Sequence, residues 1–302
     1  MLTISVVSSA QKEAVVKEES VKSQTIDAKN LIKDIKYLSS DNLKGRETGT
    51  AENALARKYI LKRFKKSGLK PFKNNYLQEF SFKDRSDKEY RGINVVGQIK
   101  GKTNPDKYII VTAHYDHVGV NKGEIYNGAD DNASGTSALF AIAKYFKKNA
   151  PINSLIFVAF DAEEKGLRGA RHFVENLPVK KEEILLNINM DMISRNDKNE
   201  LYAAGTFSYP QLKPFIEAIQ KDAPVKLLLG HDDPAQGRDD WTFQSDQGAF
   251  HRQKIPFIYF GVEDHKDYHK PTDIFENIQP EFYVNAVETI LMAVKSIDEN
   301  MK

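Results

Sequence analysis

The chain has 302 residues, 40% of them hydrophobic, enough for one large domain or two ordinary ones with a proper core. Its 44 basic and 42 acidic residues leave a formal net charge of +2, a balance that argues against a nucleic-acid or membrane-surface footprint. Cysteine is absent, which excludes disulfides, thiolate ligands and a cysteine nucleophile; any metal must be held by nitrogen and oxygen donors.

Leu2 to Val7 is a short apolar run followed by Ser8-Ser9-Ala10 and Gln11, which resembles a small-residue cleavage site. The run is short for a signal peptide and lacks a charged start. It reads as a truncated signal peptide, which would make the protein exported (periplasmic or secreted); a disordered cytosolic tail is the alternative. Residues 11 to 26 lack patterning and read as a mobile lead segment. Residues 1–26 are thus set apart from one domain over 27–302. No run is long enough for an integral membrane segment.

Asp27 to Leu38 carries apolar residues at helical spacing, and Ala51 to Ser67 reads as an amphipathic helix stopped by Gly68. Strand-like runs follow at Tyr76 to Phe82, Ile93 to Ile99, Tyr108 to Ala113 and Ser154 to Phe160, the last wholly apolar like a buried central strand. Further strands are expected at Ile184 to Met190, Leu201 to Ala204, Val225 to Leu229 and Phe257 to Gly261. Helices fall at Gly135 to Asn149, Gly166 to Asn176, Pro210 to Lys221 and Pro280 to Ile297. This alternation predicts an α/β fold, three layers (αβα) around a central mixed, mainly parallel sheet.

The chemistry collects at strand ends. His114 ends one strand, Glu163 and Glu164 follow another, and Asp191 ends a third, where open α/β sheets place their sites. His114 offers an imidazole, and Asp116, two residues on, could accept its other ring N–H. In Gly128-Ala129-Asp130-Asp131-Asn132-Ala133-Ser134-Gly135, adjacent carboxylates lie among small residues; Asn132 or Ser134 could equally cap the following helix. Of Glu163 and Glu164, one can bind metal while the other faces a reacting water, although two acids at a helix start have a dipole explanation too. Asp191 sits between methionines after an apolar strand, and a buried carboxylate needs a partner. His269 supplies a second imidazole, and Tyr268 beside it a phenol for a developing oxyanion. Asp273 either orients His269 or caps the turn, and Asp246 is either a supporting acid or a helix-start acid.

His117, His172, His231, His251 and His265 lack this convergence and read as surface or supporting residues. No Gly-x-Ser-x-Gly elbow supports a serine hydrolase. Asp131, Glu164 and Asp191 bring three negative charges against the four positive of two divalent ions, a setting that lowers the pKa of a bridging water to about 7.

In order, AHYDHVG, NGADDNASG, FDAEEKGLRGARHF, NMDMI, SDQGAF with IPFIYFG, and YHKPTD resemble the bacterial leucyl-type di-zinc aminopeptidases, zinc exopeptidases related to glutamate carboxypeptidase and glutaminyl cyclase. The resemblance spans roughly residues 90 to 280. It implies two Zn ions, one held by His114 and Asp191, the other by Glu164 and His269, with Asp131 rather than Asp130 as the bridge. It also implies a cis Asp131–Asn132 peptide, Glu163 as general base, Asp116 as the acid orienting His114, and Tyr268 as an oxyanion donor. The implied activity is removal of N-terminal residues from peptides with a free N-terminus by a metal-activated bridging water. A glutaminyl-peptide cyclotransferase-like enzyme or another zinc amidohydrolase is the alternative, and a non-catalytic binding module the least favoured. The oligomeric state and the preferred N-terminal residue are open.

Overall fold

The computed structural model describes residues 21–72 and 75–301. The signal-peptide reading of Leu2 to Gln11 lies outside the described residues. Residues read as the end of a mobile lead segment touch the body of the protein: Ile26 is buried, and Ser23 donates to Glu288.

The first helix, α1 (Ala28–Leu38), starts at Asp27, whose carboxylate accepts from the Asn30 N–H, and buries Leu31, Ile35 and Leu38. Helix α2 (Ala51–Lys66) follows a Thr50 cap and buries Ala56, Ile60 and Phe64. Three strands come next, β1 (Leu77–Lys83), β2 (Glu89–Ile99) and β3 (Asn104–His114), then a small hairpin of β4 (Gly119–Asn121) and β5 (Glu124–Tyr126) that the sequence pattern did not announce. Helix α3 (Gly135–Lys148), strand β6 (Asn153–Phe160), helix α4 (Arg168–Glu175) and strand β7 (Ile184–Met190) form the middle of the chain. The last part holds β8 (Glu200–Ala204), α5 (Lys213–Gln220), β9 (Lys226–Leu229), α6 (Gln247–Arg252), β10 (Phe257–Gly261) and α7 (Pro280–Asn300).

Among the described residues eight strands make one sheet in the order β1-β2-β6-β3-β7-β10-β8-β9. Its central run, β6-β3-β7-β10, is parallel, as is β8 with β9. The pairs β1–β2, β2–β6 and β10–β8 are antiparallel, so the sheet is mixed as expected. Alternation along the central strands feeds two faces. Ile109, Val111, Leu155, Phe157, Leu186 and Ile188 pack under α1, α2, α3, α5 and α7. Ile110, Ile156, Val158 and Phe160 pack against Phe173 of α4 and Phe250 of α6. Each such side chain, once fully buried, contributes about 1.5–3 kcal/mol. This double cover makes β6 buried at every position, which explains its unbroken apolar run.

The fold brings four carboxyl ends side by side. His114 pairs with Phe160 across β3–β6, Thr112 with Asn189 across β3–β7, and Met190 with Phe260 across β7–β10. The loops leaving these ends therefore meet over one edge of the sheet.

Candidate metal centre

Two groups of ligand-type atoms form at that edge and share Asp131. In the first, His114 Nε2 lies 3.3 Å from Asp131 Oδ1 and 3.3 Å from Asp191 Oδ1. In the second, His269 Nε2 lies 3.0 Å from Asp131 Oδ2 and 3.4 Å from Glu164 Oε1. His117 Nδ1 joins the second group, 2.8 Å from Glu164 Oε1 and 3.7 Å from Asp131 Oδ2. His114, Asp131 and Asp191, and separately His117, Asp131 and Glu164, are close enough to hold one ion each. The donors fit such ions on a second ground. His117 Nδ1, His117 Nε2 and Glu164 Oε1 are buried and have no hydrogen-bond partner, a costly state without a cation.

The five expected ligand residues are thus brought together. His117, read from the sequence as a surface or supporting histidine, is fully enclosed beside Asp131 and Glu164. Its only sequence signal was its place in AHYDH, three residues after His114.

The surrounding hydrogen bonds separate residues that looked alike in the sequence. Asp130 turns away from the shared edge: its carboxylate accepts from Ser194 N–H and Oγ, and lies 3.0 Å from His265 Nε2. Asp273 accepts the N–H groups of Asp130 and Asp131, at 2.9 and 3.1 Å, so it braces the turn rather than His269. The Asp131–Asn132 peptide is cis. Asn132 caps α3 through Gly135 N–H at 2.8 Å, and its amide donates to the Met190 carbonyl at 2.9 Å. Gly128, at φ +56°, cannot be replaced freely, because a Cβ there would come within 2.0 Å of the Asp131 carbonyl oxygen.

Asp116 works differently from expectation. His114 Nδ1 meets the backbone carbonyl of Asp116 at 3.1 Å, while the nearer carboxylate oxygen is 3.8 Å away. The carboxylate instead accepts the N–H of Glu163 at 3.0 Å and of Glu164 at 3.3 Å. One residue thereby holds the His114 ring with its main chain and the two glutamates with its side chain. Ala162 before the glutamates (φ +59°), Met192 after Asp191 (φ +56°) and His269 itself (φ +51°) adopt left-handed backbone, concentrating strain around the centre.

The electrostatics follow from this crowding. Burial alone would raise the Glu164 carboxyl, and so would Asp131, but the adjacent His117 and His269 rings hold it down at about 2. Burial would lower His269, yet the adjacent Asp131 and Glu164 carboxylates lift it to about 11. Glu163 takes no part in either group; burial, aided by Asp246, Glu164 and Asp191, pushes its carboxyl well above the usual range. Tyr268 stacks on His269 with ring centroids 4.0 Å apart. Its phenol is held protonated by burial and by Asp131, Asp191 and Glu164.

Two further residues stand out here: Arg46, which the sequence reading passed over, and Asp246, which it left between two roles. Arg46 is buried and donates to the carbonyls of Tyr115, Leu38, Asn127 and Gly128. Burial lowers its pKa to about 10, and Asp131, Asp273, Asp116 and Glu164 hold it up, so a guanidinium cation backs the acidic edge. Asp246 is fully buried, caps no N–H of α6, and has both carboxylate oxygens unpartnered. Burial raises it to about 7, with Asp191 adding to the shift, so it belongs with the supporting acids rather than the helix-start acids.

Aminopeptidase YwaD of Bacillus subtilis is 31% identical over 212 residues, covering 67% of this chain and 44% of that protein. The chain therefore spans less than half the length of that curated relative. The same fold occurs in BSAP, a zinc aminopeptidase from Bacillus subtilis, with a TM-score of 0.75 at 20% identity over 93% of this chain and 98% of that one. It also occurs in a glutaminyl cyclase of Fimbriiglobus ruber, with a TM-score of 0.72 at 18% identity over 92% of this chain and 97% of that one. Residues 94–294, which contain the whole centre, match the model of peptidase family M28, and the chain belongs to that family.

Proposed function

We propose that the protein is a di-zinc aminopeptidase that hydrolyses N-terminal residues from peptides. The observation that carries this reading is the pair of donor groups sharing Asp131, with Glu163 beside them but engaged in neither. His114, Asp191 and Asp131 would hold one zinc ion, and Glu164, His269 and Asp131 the other. When bound, zinc supplies an acidified water and a Lewis acid for the scissile carbonyl.

The chain's own groups do the rest. Glu163, fixed at its backbone by Asp116, takes the proton from the attacking water and returns it to the leaving amine. Its burial favours the proton-accepting role. The Tyr268 phenol, kept protonated, donates to the oxyanion. The substrate's side chain is read as meeting the loops 203–209 and 230–241, which the packed rings of Tyr202, His231, Trp241 and Tyr259 support; Tyr259 also donates to the Asp191 carbonyl at 3.2 Å.

A substrate panel tests the assignment. Peptides with free and blocked amino ends, and one with N-terminal glutamine, are incubated with the zinc-loaded protein. The expected result is release of the first amino acid from free-ended peptides only. Release of ammonia from the glutaminyl peptide without chain cleavage would assign a cyclase instead.

A further inference from the structure

We infer that His117 is a ligand of the second metal, which makes the two metal positions unequal. The inference rests on the two-metal reading above and adds a residue to it. His117 Nδ1 approaches Glu164 Oε1 to 2.8 Å, yet neither of these atoms, nor His117 Nε2, is satisfied by a hydrogen bond of good geometry. Two buried ligand-type atoms held this close, neither satisfied by a hydrogen bond, suit a shared cation. The ring's position is also built in. Gly128 lies against it, and a Cβ at 128 would stand 2.5 Å from His117 Cγ. His269 reaches Asp131 Oδ2 and Glu164 Oε1 from another side, with its ring centroid 5.7 Å from that of His117.

The second metal then has four protein donors, Asp131, Glu164, His269 and His117, while the first has three, His114, Asp131 and Asp191. Zinc sites with four protein ligands are closed, and those with three keep a position for water or substrate. The open coordination position accordingly belongs to the His114–Asp191 metal. The ion beside His117 anchors Asp131 and Glu164.

The test replaces His117 with cysteine and with asparagine and reads zinc by X-ray absorption and by competition with a chelator. The chain has no cysteine of its own, so any thiolate in the zinc shell comes from position 117. The expected result is a sulfur neighbour at about 2.3 Å in His117→Cys, absent from the parent protein. In His117→Asn, one of the two zinc ions should bind about 100-fold more weakly or worse, with the other unchanged. Circular dichroism of the metal-free variants confirms that each is folded. If the parent binds two zinc ions, and both variants bind two at parental affinity without a sulfur signal, the inference is overturned while the two-metal reading stands. A parent that takes up no zinc overturns both.

Discussion

At the residue scale, the centre depends on carboxylates that hold backbone rather than metal. Asp273 accepts the N–H groups of Asp130 and Asp131 and so sets the direction of Asp131. Asp273→Ala is expected to weaken metal binding by about 10–100-fold, as supporting residues of metal ligands do, read by chelator competition. Glu163→Gln should keep both zinc ions, since its side chain joins neither donor group, and should lower turnover by about 100- to 10,000-fold. Unchanged turnover with full metal content would remove Glu163 from the base role. The sequence carried the identities of these acids but not their directions. Asp130 and Asp131 are neighbours of the same type; the family resemblance pointed to Asp131, and the contacts of Asp130 to Ser194 and His265 show where the other carboxylate goes. His117 was illegible for the same reason, because enclosure depends on how Gly128 and Glu164 fold around it.

At the element scale, the parallel strands and their helices were readable from periodicity, and β7 and β10 begin and end where the apolar runs do. The short β4–β5 hairpin and the six-residue α6 were not, since neither is long enough to show a period. Helix α1 offers an element-level prediction. Asp27 caps it and pairs with Lys144; burial alone would raise the Asp27 carboxyl, but the Lys144 and Asn30 contacts lower it to about 2. A depressed acid contributes stability that is complete above its unfolded pKa of about 4 and is lost as pH falls through its folded value. Asp27→Ala is therefore expected to cost about 1 kcal/mol at neutral pH. Denaturant melts should show that difference shrinking between about pH 4 and pH 2. A penalty that is the same at both ends of this range would show that the cap charge is irrelevant.

At the scale of the whole molecule, the sheet and the acidic edge are tied together by Arg46, whose guanidinium donates to carbonyls from α1's last residue, the loop after β3 and the turn before α3. Arg46→Met leaves those buried carbonyls without donors and the acidic edge without its internal cation. Losses of about 3–5 kcal/mol accompany such changes, so a clear drop in thermal midpoint is expected. Metal at the proposed centre would act on the same balance. Zinc bound only by the folded chain stabilises it by about 4 kcal/mol at a thousandfold excess over its dissociation constant. Chelation should therefore lower the melting temperature as well as the activity.

The most direct measurement is a zinc titration of the metal-free protein with an amino-acid p-nitroanilide present, following bound metal and p-nitroaniline release together. The account predicts no hydrolysis without metal, and a rate that rises with zinc and saturates when two ions are bound. Hydrolysis by the fully chelated protein at the rate of the zinc-loaded one would contradict it.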